Sequence, residues 1–324
     1  MQLPGPTKAG TQELGLRFNI VSLLPTAALV ALVLALIAAG APATAPSLET
    51  LRGNLRGVSG LQIVALSFAV VAVSIALHPF QLPLVRLLEG YWGNRRPGRA
   101  LGAIGVELHR RRWQRLSEHE AMDVDELVAS ISGQPDTQEW AALRAELTRR
   151  KNAARDLARM YPRADRLMPT RLGNVLRAAE DEAGQRYGLD TVMFLPRLYP
   201  HLSPSLAALI EDLRNQMDAA ARLCAVLLLA TPITAVLLAR HGWWLLIPAS
   251  TAMLAWVAYR AAVNAAGRWG QMMFVAFDLH RFDMLRGMGL PLPTNPEAER
   301  NFNQRLTWEL GHNRPVAGYE HQSK

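Results

Sequence analysis

The stretch Phe277-Asp278-Leu279-His280-Arg281-Phe282-Asp283 is the densest run of residues able to do acid–base or metal chemistry in the chain. On a helix His280 shares a face with Met273, Phe277 and Met284, and Asp278 stands three residues before Arg281, the spacing of an ion pair. A carboxylate beside an imidazole can orient it as a general base or complete a metal shell. The same pattern is also that of a packed histidine flanked by structural ion pairs, which perturb titration without doing chemistry. The second reading is adopted for Asp278, His280, Arg281 and Asp283, so the sequence assigns no catalytic residue, no metal ligand set and no cofactor. His78, Glu89 and His109, close to apolar runs, carry less of a pattern.

A second cluster is basic. Arg110-Arg111-Arg112 and Arg115 stand beside Val106, Leu108 and Trp113, which makes 101–116 a basic amphipathic stretch. Against an anionic lipid surface each such arginine contributes about 1 kcal/mol; as an ordinary solvated helix face the same residues contribute nothing to binding. The motifs GxxxxGK[ST], strand-linked GxGxxG, GxSxG and HExxH are absent, and His119-Glu120 lacks a second histidine. Asp181-Glu182-Ala183-Gly184-Gln185-Arg186 is similar to the acidic-acidic-x-x-x-Arg motif of intramembrane prenyl-protein proteases. It falls in a soluble helix rather than a membrane span, however, where an i,i+4 ion pair is the expected arrangement.

Apolar runs must position these groups. Leu223 to Ala239 and Trp243 to Tyr259, joined by Arg240-His241-Gly242, predict a transmembrane hairpin, each run just long enough for a hydrocarbon core of about 30 Å. Ser203-Pro204 predicts the start of the helix leading into it. Phe18 to Gly40 is a third apolar run, too long for a signal peptide of about 7–15 apolar residues despite the Ala43-Thr44-Ala45 that follows. Leu61 to Leu77 is a fourth, with a kink or a helix end expected at the prolines 79 and 83 before an amphipathic piece over 84–92. Residues 1–17 read as a flexible tail and 41–60 as an external linker.

Each run carries small residues at helical spacing: Ala28, Ala31, Ala35 and Ala38; Ala65, Ala69, Ala72 and Ala76; Thr231, Thr234 and Ala235; Thr251, Ala255, Ala258 and Ala262. Such stripes let helices approach closely in lipid, and together they predict a compact bundle; the abundance of alanine is the competing reading for any one of them. Ten basic residues near the span ends (Lys8, Arg17, Arg86, Arg95, Arg96, Arg99, Arg214, Arg222, Arg260 and Arg268) oppose Arg52, Arg56 and Arg240, which places both termini and residues 93–202 in the cytoplasm. That middle segment is helical by pattern, with a long helix over 137–160 and another capped by Thr170. A last helix is expected after the capping box Thr294-Asn295-Pro296-Glu297, ending at Gly311.

The net charge of +8 comes from arginine rather than lysine, of which there are only Lys8, Lys151 and Lys324. With no nucleic-acid-binding motif to accompany it, this basicity fits the positive-inside rule and predicts no nucleic acid partner. Cys224 is alone, which excludes an internal disulfide or a thiolate metal cluster within one chain.

Four segments carry a resemblance: His78-Pro79 with Leu87-Leu88-Glu89-Gly90-Tyr91-Trp92; Pro169-Thr170-Arg171-Leu172-Gly173-Asn174; Arg186-Tyr187-Gly188-Leu189-Asp190; and Phe277 to Arg281. Together they resemble a group of uncharacterised four-span membrane proteins of GC-rich bacteria, a resemblance that implies a membrane protein and transfers no activity and no site.

The expectation is an all-α protein, a four-helix transmembrane bundle with a helical cytoplasmic domain. Its parts are a tail (1–17), a first transmembrane pair (18–92), a cytoplasmic domain (93–202), a long helix with the second hairpin (203–269), and C-terminal helices (270–324). It would sit in the cytoplasmic (inner) membrane, touching the lipid bilayer, anionic headgroups and an unidentified cytoplasmic protein partner. Function is expected to be that of a non-enzymatic scaffold. An oligomeric channel or transporter component is the alternative, although the runs hold no charged residue of the kind ion coupling needs. A membrane enzyme using the His280 cluster comes third.

Overall fold

The computed structural model describes residues 24–93, 95–121, 137–314 and 316. Among them the chain is all helical. In order the helices are α1 (Leu24–Ala38), α2 (Leu48–Arg56), α3 (Gly60–Glu89), α4 (Arg96–Ala121), α5 (Thr137–Met160), α6 (Arg171–Glu182), α7 (Thr191–Leu198), α8 (Pro204–Leu238), α9 (Leu246–Gly287) and α10 (Pro296–Gly311). The N-terminal tail, the first residues of the run from Phe18, and the linker over 122–136 lie outside the described residues, as do the side chains of His119 and Glu120. The chain forms two compact units: the described part of Met1–Leu88 with Gln216–Ala262, and the described part of Glu89–Asn215 with Val263–Lys324.

The first unit holds the apolar helices. α8, and α9 together with the short 3-10 turn before it, are long and apolar enough to cross a membrane. α2 with residues 60–76 of α3 is a third candidate only if a pair bent by 115° counts as one span, and α1 is shorter. Among the described residues two helices, or three with the bent pair, thus have the length and apolar character of a span, and four are not shown.

The small-residue stripes divide in the same way. On α9 Thr251, Ala255, Ala258 and Ala262 are all buried, and on α8 Thr234 is fully buried beside half-buried Thr231 and Ala235. The Thr231 and Thr251 hydroxyls meet at 3.1 Å, a polar contact between helices of the kind that holds spans together in lipid. On α1 Ala28, Ala31 and Ala35 are exposed and Ala38 is half-buried. Its packing face is instead Leu29, Val33 and Leu36, set against Val226, Ala230 and Leu238 of α8. On α3 Ala65, Ala69, Ala72 and Ala76 are exposed, and Ser74 is the only side chain buried over 60–76, its hydroxyl donating to the Val70 carbonyl. An alanine stripe marks close approach only where a partner helix supplies the other surface.

The structure decides two sequence expectations about breaks. α3 runs through Pro79 and Pro83 to Glu89, since a proline removes one ladder hydrogen bond and kinks a helix without having to end it. The expected linker over 41–60 contains α2, nucleated by Ser47, whose hydroxyl accepts from the Thr50 N–H. Glu49 in its first turn and Arg56 in its last complement the helix dipole.

The second unit is built on a core of Phe194, Leu198, Ile210, Met273, Phe277 and Leu285 with their neighbours, drawn from α6, α7, the start of α8, the second half of α9, and α10. α4 and α5 pack against each other, and α5 packs on α6. α6 begins where Thr170 accepts from the Gly173 N–H. Asn174, fully buried, locks the preceding turn by accepting from the Met168 N–H and donating to the Met168 and Thr170 carbonyls. A Cβ at Gly173 would overlap the Glu89 carbonyl oxygen, so glycine is what allows the end of α3 to lie against α6. The last helix is capped by Asn295, which accepts from the Ala298 N–H, and not by a Thr294–Glu297 box. With Pro296 in the first turn, the helix starts one residue later than that box requires.

Candidate functional site

The predicted cluster sits in the second unit, where α9 meets α10 and the 3-10 turn Gln185–Tyr187. Arg281 is its centre. Its Nε donates to Glu299 Oε1 on α10 at 2.6 Å, with the two side chains only 15% and 9% exposed. Its guanidinium lies 4.0 Å from the centre of the Tyr187 ring and 4.2 Å from that of Phe282, so it is held by charge on one side and by aromatic faces on others. The expected side-chain pair of Asp278 with Arg281 does not form. Arg281 donates to the backbone carbonyl of Asp278, while the Asp278 carboxylate accepts from the Tyr187 hydroxyl at 2.5 Å and faces Arg186 at 3.7 Å. Burial first, and then this bond to a carboxylate, raise the pKa of Tyr187 above the usual phenol value.

His280 faces the other way. The Ser203 N–H, just before α8, donates to its Nε2 at 3.5 Å. Nδ1 is buried 3.4 Å from Asp283 Oδ2, too poorly directed for a hydrogen bond. Asp283 also pairs with Arg286 at 3.1 Å. His280 and Asp283 thus belong to the contact between α9 and the start of α8, and Asp278 and Arg281 to the contact with Tyr187 and α10. The four residues that are adjacent in sequence serve two separate joints.

Tyr187, Glu299 and Asn303 complete the second joint, and sequence reasoning did not single them out as site residues. Asn303 donates to the Tyr187 carbonyl at 2.8 Å and Thr307 to that of Gly188 at 3.1 Å. Gly188 has φ +78°, a left-handed conformation, and a Cβ there would stand 2.7 Å from the Arg300 carbonyl. The Tyr187-Gly188 pair was the available signal, since a glycine closing a helical segment exposes carbonyls that need donors. Nor does Arg186 pair with Asp181 or Glu182. α6 ends at Glu182, which takes Arg186 off its face, and Asp181 pairs with Arg166 at 3.2 Å instead. Among the described residues no group of three histidine, cysteine, aspartate or glutamate side chains is placed to hold a metal.

No family model, no curated protein and no solved structure matches this chain.

The predicted basic residues Arg110, Arg111, Arg112 and Arg115 are all exposed on α4. Arg110 and Arg111 share Glu107, at 3.4 and 3.0 Å, which lowers the net charge of that face. The side chain of His78 lies outside those described. His109, on the inner side of α4, has Nδ1 3.1 Å from the Tyr161 hydroxyl. Burial first, then the charges of Arg112 and Arg171, hold it below the usual histidine value.

The sign of that shift gives a measurable result. A histidine favoured neutral by the fold contributes stability that is complete above about pH 6.5 and is lost as pH falls through the lowered folded value. Glu180 and Asp181, pushed up mainly by burial, act oppositely, because the cost of ionising them disappears as pH falls. The detergent-solubilised His109→Gln variant should therefore lose less of its melting temperature between about pH 7 and pH 5 than the parent. Parallel profiles would show that His109 titrates normally.

Proposed function

We propose that this chain is an inner-membrane protein with four spans and both termini in the cytoplasm, acting as a non-enzymatic scaffold whose cytoplasmic helices dock a protein partner. The observation that carries the reading is on α4. Leu101, Ile104 and Leu108 are 57%, 59% and 63% exposed, at the spacing of one helix face, and Arg111 and Arg115 continue the line. A stripe of large apolar side chains rimmed by charge is the kind of surface another helix or protein covers. The titratable groups of the His280 cluster, by contrast, are engaged in joining helices. Support for the topology comes from the uneven distribution of basic residues about the apolar runs, and the resemblance to four-span bacterial membrane proteins points the same way.

Two experiments test this. Reporter fusions at Ser47 and His241 should report outside, and fusions at Gln134 and after Lys324 inside; a cytoplasmic signal at Ser47 overturns the topology. Purification in mild detergent should retain a protein partner that is lost when Leu101, Ile104 and Leu108 are together replaced by glutamine. If nothing accompanies the parent chain, the scaffold reading fails.

A further inference from the structure

Beside Arg186, on the part of α9 that precedes Asp278, the second unit has a cleft of about 710 Å³. It opens between the α4–α5 pair and α9, and its volume falls within the roughly 300–1,000 Å³ range of small-ligand sites. Its floor is apolar, formed by Trp113 of α4, Leu157 of α5, and Phe274 and Val275 of α9. Its rim is basic, with Arg159, Arg163 and Arg186. Glu182 is the single carboxylate in the lining, so the site carries an excess of positive charge.

Two of the three arginines carry little or no pairing. Among the described residues no ion pair involves Arg159. Arg163, 69% exposed, reaches only the equally exposed Asp165 at 3.8 Å, a contact of little energetic weight. Arg186 lies 5.3 Å over the Phe274 ring and pairs with Asp278 at 3.7 Å, which fixes it at the edge of the floor. Forked donors around an aromatic and aliphatic base match a ligand with an anionic head and a hydrocarbon chain.

The geometry points to this cleft as a binding site for an anionic amphiphile, with its phosphate or carboxylate held by Arg159, Arg163 and Arg186 and a hydrocarbon chain over Trp113 and Phe274. The inference is independent of the scaffold reading, since it uses neither the α4 stripe nor the span topology. The head could belong to a membrane phospholipid or to a soluble acyl anion; both present the same chemistry.

Trp113 supplies the probe. Dibrominated stearate titrated into the full-length protein in dodecyl maltoside should quench tryptophan fluorescence with a saturable component, absent in Trp113→Phe and not produced by dibrominated stearyl alcohol. Dodecyl phosphate should compete, and inorganic phosphate should not. Arg159→Glu with Arg163→Glu should weaken the apparent affinity by about ten-fold or more; if the double variant melts lower than the parent, Arg163→Glu alone, at a largely exposed side chain, takes its place. Saturable quenching retained in Trp113→Phe, equal quenching by the alcohol, displacement by inorganic phosphate alone, or unchanged affinity in the charge variants would each overturn the assignment. Mass spectrometry of the protein taken from its membrane separates the two sources. An anionic phospholipid held one to one in the parent and lost in the charge variants identifies a lipid; competition by dodecyl phosphate with no lipid retained identifies a soluble acyl anion.

Discussion

Replacing Arg281 by leucine should destabilise the second unit by about 3–5 kcal/mol, because the substitution leaves Glu299 buried with an unpaired charge. Adding Glu299→Leu should recover most of that loss, since two apolar side chains of suitable volume can fill a buried ion-pair site at little net cost. The Tyr187 and Phe282 rings that flank the guanidinium supply an apolar setting for such a replacement. Thermal melts of the parent, the single variant and the double variant decide the matter. A single variant as stable as the parent would show that the pair is solvated and that Arg281 does not tie α9 to α10.

A comparable effect is expected in the apolar helices, with a built-in control. Ala255→Leu and Ala258→Leu place bulk on a face of α9 that is 2% and 5% exposed, and each should cost about 1–3 kcal/mol by overpacking. Ala69→Leu and Ala72→Leu, at exposed positions of α3, should leave the melting temperature of the solubilised chain unchanged. If the α3 pair proves as damaging as the α9 pair, α3 has a packing partner after all.

The elements of the second unit were largely legible, and for identifiable reasons. Thr170 and the Ser203-Pro204 pair are local signals, each fixing a helix start, and the structure places helix starts at those points, whereas the helix begun at Thr170 ends at Glu182 and Gly188 closes only the 3-10 turn that follows. Ser47 was an equally local signal, and it was overlooked because the prolines and glycines around it read as a linker. What lay beyond the sequence was pairing between distant elements. Asp278 and Arg281 have the spacing of an ion pair, yet the partner of Arg281 is eighteen residues further on and that of Asp278 is Tyr187, ninety-one residues before it. The small-residue stripes failed on α1 and α3 for a related reason: composition gives the width of a helix face but not the surface opposite it. The cleft at Trp113 had no sequence signature at all, because its floor and rim come from segments between 113 and 275 with no common spacing.

Gly173 and Gly188 have no side chain with which to do chemistry, yet any side chain at either position meets backbone, the Glu89 carbonyl in one case and that of Arg300 in the other. Backbone cannot step aside as a neighbouring side chain can, so these sites admit no gradual path of exchange. Over evolutionary time they would hold as fast as a catalytic nucleophile, while the arginines of a ligand rim could drift to lysine or change places. In this protein, the most immovable letters mark where the chain crosses close to itself, and the search for what it binds belongs among positions freer to vary.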